Sequence, residues 1–282
     1  MRHLPTHRAF PAALILAAAS SCTGDPPAPA PQRLVVEGRF DSGSYPEVLL
    51  NMSMVPSDEE GSVAESIVRW GVVSISDGER EVILTGGPSD KHFPPYRYYT
   101  YQMEGEPGKT YTLRASYRGM TVSSTATMPA PTPIGSLEAT PAEGNDTLRH
   151  VSLRFTAPDD TPAYYHLSAR AHSRDGRASP CLAGPHEVLS AGAEVVLPVY
   201  RGNRYTDSDI SYEAGFPAGE TLTVTLARVS REVYLFWRAF DNASLVNGSV
   251  FVGAPGSLPS NIEGGYGVWS PPAAATATIL LR

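Results

Sequence analysis

The chain has 282 residues, of which 41% are hydrophobic and 18% charged, and a formal net charge of −7. An acidic chain without a basic stripe is a poor match for a polyanion, so no nucleic-acid partner is expected. Cys22 and Cys181 are the two cysteines, too few for a disulfide-stapled scaffold.

The first predicted element is a leader. Arg2 and Arg8 precede a short apolar run from Phe10 to Ala19, broken by Pro11, and Ser20-Ser21 lead into Cys22. A basic start, a short apolar middle and small residues before a cut describe a secretory signal peptide. A transmembrane helix would need roughly 20 apolar residues. Residues 1–21 therefore read as a lipoprotein signal, with the Cys22 thiol carrying a diacylglycerol and becoming the mature N-terminus. Removing the leader deletes two of 22 basic residues and none of 29 acidic ones, which leaves a net charge of −9. One acyl chain binds a membrane only marginally, at about 0.8 kcal/mol per buried CH₂, so stable anchoring takes more than one chain. With Cys22 acylated no intramolecular disulfide remains, and Cys181 reads as a small buried hydrophobe. The lipidated cysteine opens a tether over residues 22–32, where Pro26, Pro27, Pro29 and Pro31 favour extended polyproline II, reaching about 30 Å.

The body follows as short alternating segments punctuated by glycine and proline. Leu34 to Gly38 and Pro46 to Met52 open it. Gly71 to Ser76 and Glu81 to Thr85 flank Asp77-Gly78, a strong hairpin signal. In a second hairpin Tyr111, Leu113, Ala115 and Tyr117 share one face. Arg118-Gly119 turns the chain, and Met120, Val122, Ser124 and Ala126 return. Such period-2 alternation implies one buried and one wet face, as in antiparallel sandwiches. Three alternating prolines at 129, 131 and 133 make the best internal boundary. Strands resume at Val151-Leu153-Phe155, Tyr165-Leu167-Ala169, Glu194 to Val199 and Leu222-Val224-Leu226. Val233, Phe236, Trp237 and Phe240 instead fall at i, i+3, i+4 and i+7, a helical stripe with Ser230 at the N-cap position and Glu232 in the first turn. The expected fold class is all-β. Two β-sandwich-like (immunoglobulin-like) domains are expected over residues 33–128 and 134–282, joined by a Pro-rich linker at 129–133. The second carries one short amphipathic helix near 230–242.

Several stretches in this order resemble a known family. They are the leader cysteine, Leu34-Val35-Val36-Glu37-Gly38, the Ser76-Asp77-Gly78 turn, Gly105 to Leu113, the proline junction, the Ser230 helix, and Ser260-Asn261-Ile262-Glu263-Gly264-Gly265-Tyr266-Gly267-Val268-Trp269-Ser270. The chain resembles the "domain of unknown function 4249" lipoproteins of Bacteroidota over essentially its whole mature length. Trp269 stands where phenylalanine is commoner. The resemblance implies an outer-membrane lipoprotein associated with a TonB-dependent transporter, and it supplies no catalytic residues.

No catalytic residue can be assigned. There is no Gly-x-Ser-x-Gly elbow, and the fit of two carboxylates to glycoside cleavage depends on their separation in space. His92, His150, His166, His172 and His186 form no metal-ligand spacing, and Asp207-Ser208-Asp209 lacks the remaining ligands of a calcium loop, so neither a metal nor a cofactor is expected. The tyrosines at 96, 98, 99 and 101 suit strand faces and also make good binding surface. The candidate binding loop comprises Asn261, Gly264, Gly265, Tyr266, Gly267 and Trp269. Its glycines allow positive φ or close backbone approach. Either it presents Tyr266 and Trp269 to a ligand, or it is a structural turn into the last strand with Trp269 buried.

The expected function is that of a non-enzymatic accessory or substrate-binding lipoprotein at the cell outer membrane. It would be held there by its lipid anchor and serve a TonB-dependent transporter. The alternative is a structural or adhesive module that binds a glycan or envelope protein without transport.

Overall fold

The computed structural model describes residues 31–54, 63–201, 204–206, 209–211, 215–247 and 258–282. Cys22 and the leader lie outside them, as do Asp207 and Ser208. In the first half, β1 (Leu34–Arg39) and β2 (Glu47–Met52) are followed by a single turn α1 (Val63–Ser66). Then come β3 (Val72–Ser76), β4 (Glu81–Ile83), β5 (Thr85–Pro88), β6 (Tyr96–Tyr99), β7 (Thr110–Tyr117) and β8 (Met120–Thr127). The second half contains β9 (Ser136–Ala142), β10 (Asn145–Thr156), β11 (Ala163–Ala171), β12 (Ser179–Val188) and β13 (Glu194–Val199). After it come β14 (Arg204–Thr206), β15 (Asp209–Ser211), β16 (Phe216–Pro217), β17 (Thr221–Val229), α2 (Arg231–Asn247), β18 (Tyr266–Ser270) and β19 (Ala273–Leu280).

The molecule is all-β and sandwich-like. Sheet I has the order β18-β1-β2-β6-β5 and sheet II the order β4-β3-β7-β8. Their facing sides form one core, with Val36, Phe40, Ile75, Tyr111, Leu113 and Trp269 all essentially inaccessible. Sheet III has β13-β10-β16 with β9 also on β10, and sheet IV has β12-β11-β17-β19. A second core joins these two through Leu153, Phe155, Tyr165, Leu167, Leu222 and Val224. Each such burial stabilises by about 1.5–3 kcal/mol per large apolar side chain.

The local signals behave as expected. Arg118 and Gly119 both take positive φ, at 48° and 80°, the two-residue primed turn that matches strand twist. At the other predicted hairpin Gly78 has φ 90°, and Asp77 Oδ1 accepts the amides of Glu79 and Arg80 at 3.1 and 3.0 Å. Ser230 caps α2 through Val233 N at 3.4 Å, and the helix runs on to Asn247, beyond the predicted 242.

Two features differ from the expected organisation. The proline segment is docked rather than bridging free space. Thr132 is buried with its hydroxyl 2.9 Å from Tyr165 Oη, and Arg228, itself held by Asp160 at 2.7 Å, reaches the Ala130 carbonyl. Nor is the span 134–282 self-contained. β18 pairs in parallel with β1, matching Glu37 with Val268 and Gly38 with Trp269, so a five-residue strand near the end of the sequence returns to complete sheet I. Pro271-Pro272 then carries it into β19, which closes sheet IV against β17. Ala273, on β19, is buried in the first core. Gln32–Arg282 is one compact unit, and a smaller core of Ala227, Val229, Val233, Tyr234 and Val268 joins α2, sheet IV and sheet I. A parallel partner about 230 residues away leaves no trace in local periodicity.

Candidate functional site

The motif at 260–270 is a docking device that buries Trp269 instead of presenting it. Trp269 is fully buried, 6.3 Å from the Phe40 ring, and donates from Nε1 to the Tyr111 carbonyl at 3.1 Å. Asn261 acts as a one-residue strand partner: its Oδ1 accepts the Trp269 amide and its Nδ2 donates to the Trp269 carbonyl, both at 2.8 Å. The glycines allow close passage of backbone. A Cβ on Gly265 would lie 2.6 Å from the Leu34 carbonyl oxygen, one on Gly264 would lie 2.7 Å from that of Thr121, and one on Gly267 would lie 1.8 Å from that of Val36. Tyr266 is half-buried, with the Arg33 guanidinium 5.5 Å from its ring centroid.

What this docking creates is a cleft. Alternate residues of β1 point away from the first core, so Glu37 and Arg39 face the outer side of sheet I, beside Val268 of β18. Across from them lies the outer side of sheet IV, where His166, Thr225 and Ala227 alternate with the core residues of β11 and β17. Trp237 of α2 closes one end, and the segments carrying His92-Phe93 and Arg177 form the rims. The enclosed volume is about 530 Å³, within the range of small-molecule sites, about 300–1,000 Å³.

Three charged constellations line this space. Arg39 is committed to Asp41 through two bonds, at 2.7 and 3.0 Å. Glu47 is held by Arg97 and lies 3.2 Å from His92 Nε2, while His92 Nδ1 is 2.8 Å from Ser89 Oγ. Burial lowers the proton affinity of His92, and the neutral Nε2–H tautomer satisfies both contacts. Glu37 is different. It is exposed to the cleft, and desolvation by the surrounding protein raises its carboxyl above the usual range against the opposing fields of His92, Arg177 and Arg39. No hydrogen bond from a described residue reaches it.

His166 also lacks a partner. Its ring stacks on Trp237 with centroids 4.5 Å apart and 13° between planes, and Nε2 is buried without a hydrogen bond. Desolvation pushes its pKa down to about 3, so it stays neutral. Buried groups left unpaired are uncommon and point to a missing partner. Cys181 is fully buried with its thiol pushed up to about 12, chemically inert as expected. Among the described residues no group of three His, Cys, Asp or Glu side chains could hold a metal ion.

A family model described as a domain of unknown function, DUF4249, matches residues 24–271. The chain belongs to that family. No curated protein matches it. The matched span contains every wall of the cleft described above, together with the docking motif that brings β18 onto β1. Of these lining residues only His92 and His166 are weighed as site candidates from the sequence, and only as histidines without metal-ligand spacing. Glu37 appears there only within the Leu34–Gly38 segment, and Trp237 only within the helical stripe. Their convergence depends on pairings that only the fold specifies.

Behind the cleft, Asp241 of α2 is partly buried with Oδ2 unpartnered. Desolvation pushes its carboxyl up to about 6, opposed by the amides of Gly184 and Ala183. The folded state thus holds this proton more tightly than the unfolded chain. The resulting stabilisation is complete below the unfolded pKa and is lost as pH rises through about 6. After discounting for partial exposure, the effect is about 1 kcal/mol. Asp241→Asn is therefore expected to flatten the fall in stability between acidic and neutral pH, as read by urea unfolding across that range. An unchanged pH dependence would count against the assignment.

Proposed function

We propose that this protein is a lipid-anchored accessory lipoprotein of the cell outer membrane that binds a small substrate in the cleft between its two sandwiches and serves a TonB-dependent transporter, without transforming that substrate. The observation that carries the binding role is the cleft itself, a concave space with an unpaired carboxylate and an unpaired imidazole nitrogen held on rigid strands. The leader, Cys22 and the proline tether support the anchor, and the family resemblance supports the transporter. Affinity purification after mild crosslinking, in gentle detergent, is expected to recover a TonB-dependent transporter. Repeated recovery without one would remove that partner from the proposal.

A surface feature favours the adhesive alternative. Trp70 is 87% exposed, and Tyr45 and Tyr101, at 42% and 66%, pack edge-to-face on one another. Deleting the gene separates the two roles: a defect in uptake of one nutrient supports the transporter role, and altered attachment with normal uptake supports the adhesive one.

A further inference from the structure

Charge accounting within the cleft leaves two side chains over. Arg39 has Asp41, and Glu47 has both Arg97 and His92. Glu37 lacks a hydrogen bond, and Arg177, which donates to the Lys91 carbonyl, has no carboxylate partner among the described residues. Both line the cleft, Glu37 on sheet I and Arg177 at the rim in the segment between β11 and β12. They are too far apart to form an ion pair, yet close enough for Arg177 to stabilise the Glu37 carboxylate through space. A carboxylate without protein donors is best satisfied by a cation that brings N–H groups, and a guanidinium by a planar carboxylate. The cleft also offers aromatic surface, from Trp237 and from Phe93, which is 65% exposed.

We propose that the cleft binds a small zwitterion of the amino-acid or short-peptide class, its primary ammonium on Glu37, its carboxylate on Arg177 and its side chain against Trp237 and Phe93. This inference rests on the reading of the chain as a binding protein, not on the identity of any transporter. A ligand carrying one charge would leave one of these side chains unpaired, and an uncharged apolar ligand both.

The test is calorimetric titration of the purified full-length protein with the dipeptide Phe-Gly, its N-acetylated form and its C-terminal amide. Phe-Gly is expected to bind, and blocking either terminus to weaken binding by at least about tenfold, as losing a charge-assisted bond does. Glu37→Gln is expected to bring the free and acetylated peptides within about twofold of one another, and Arg177→Gln to do the same for the acid and the amide. Both replacements preserve side-chain volume closely. Should either fail to fold, the blocked peptides on the parent protein still decide the matter. Absence of binding by Phe-Gly, or equal binding of all three peptides, overturns the inference. Because the titration contains no transporter, failure to capture one leaves this result standing, and failure here leaves the transporter reading standing.

Discussion

Trp269→Ala is expected to cost about 3–5 kcal/mol, the range for emptying a buried tryptophan site. The side chain is fully inaccessible, packs beside Phe40 and donates a hydrogen bond to the Tyr111 carbonyl. Total stabilities of natural proteins are about 5–15 kcal/mol, so this single change would leave the first sandwich marginal. Trp269→Phe keeps the apolar contact but gives up the indole hydrogen bond and leaves a smaller void, with an expected loss of about 1–3 kcal/mol. Urea unfolding of both variants provides the measurement. A loss under about 1 kcal/mol for alanine would show that Trp269 does not seal this core.

Gly267→Ala is expected to be at least as damaging, through backbone rather than packing. At φ 114° an L-residue is strained, and the added Cβ would sit 1.8 Å from the Val36 carbonyl oxygen, in the middle of the β1–β18 ladder. Neither strand can yield without breaking the pairing, so the expected loss exceeds about 3 kcal/mol. Gly78 is the internal control. It also has positive φ, 90°, but nothing lies within 4 Å of an added methyl, so Gly78→Ala carries only the conformational cost of about 1 kcal/mol. Comparable losses at the two positions would mean that close approach to β1 is not what Gly267 provides.

The strand content and the two hairpins were legible because alternation is a local property. Tyr111, Leu113 and Ala115 show their buried face without knowledge of any partner. The α2 stripe was equally legible, since four residues within two turns suffice to define it. The partner of Tyr266–Ser270 was not. Its pattern announces a strand, but nothing in it says that β1 lies alongside, and a domain boundary drawn at the proline junction consequently misplaced it. The cleft was hidden for the same reason, multiplied. Glu37, His92, His166 and Arg177 come from four separate segments, and each alone has an ordinary explanation as strand, loop or helix-facing polarity.

The route through Pro271-Pro272 has a consequence for how the molecule is made. The first core lacks Trp269, and sheet IV lacks β19, until nearly the entire polypeptide has been synthesised. A chain arrested near residue 255 would expose an unfilled hydrophobic slot beside β1 and an open edge on β17 at the same time. Both are sites at which holdase chaperones and proteases engage immature chains. The cleft, whose Val268 wall arrives with the same segment, is likewise complete only once that segment has docked.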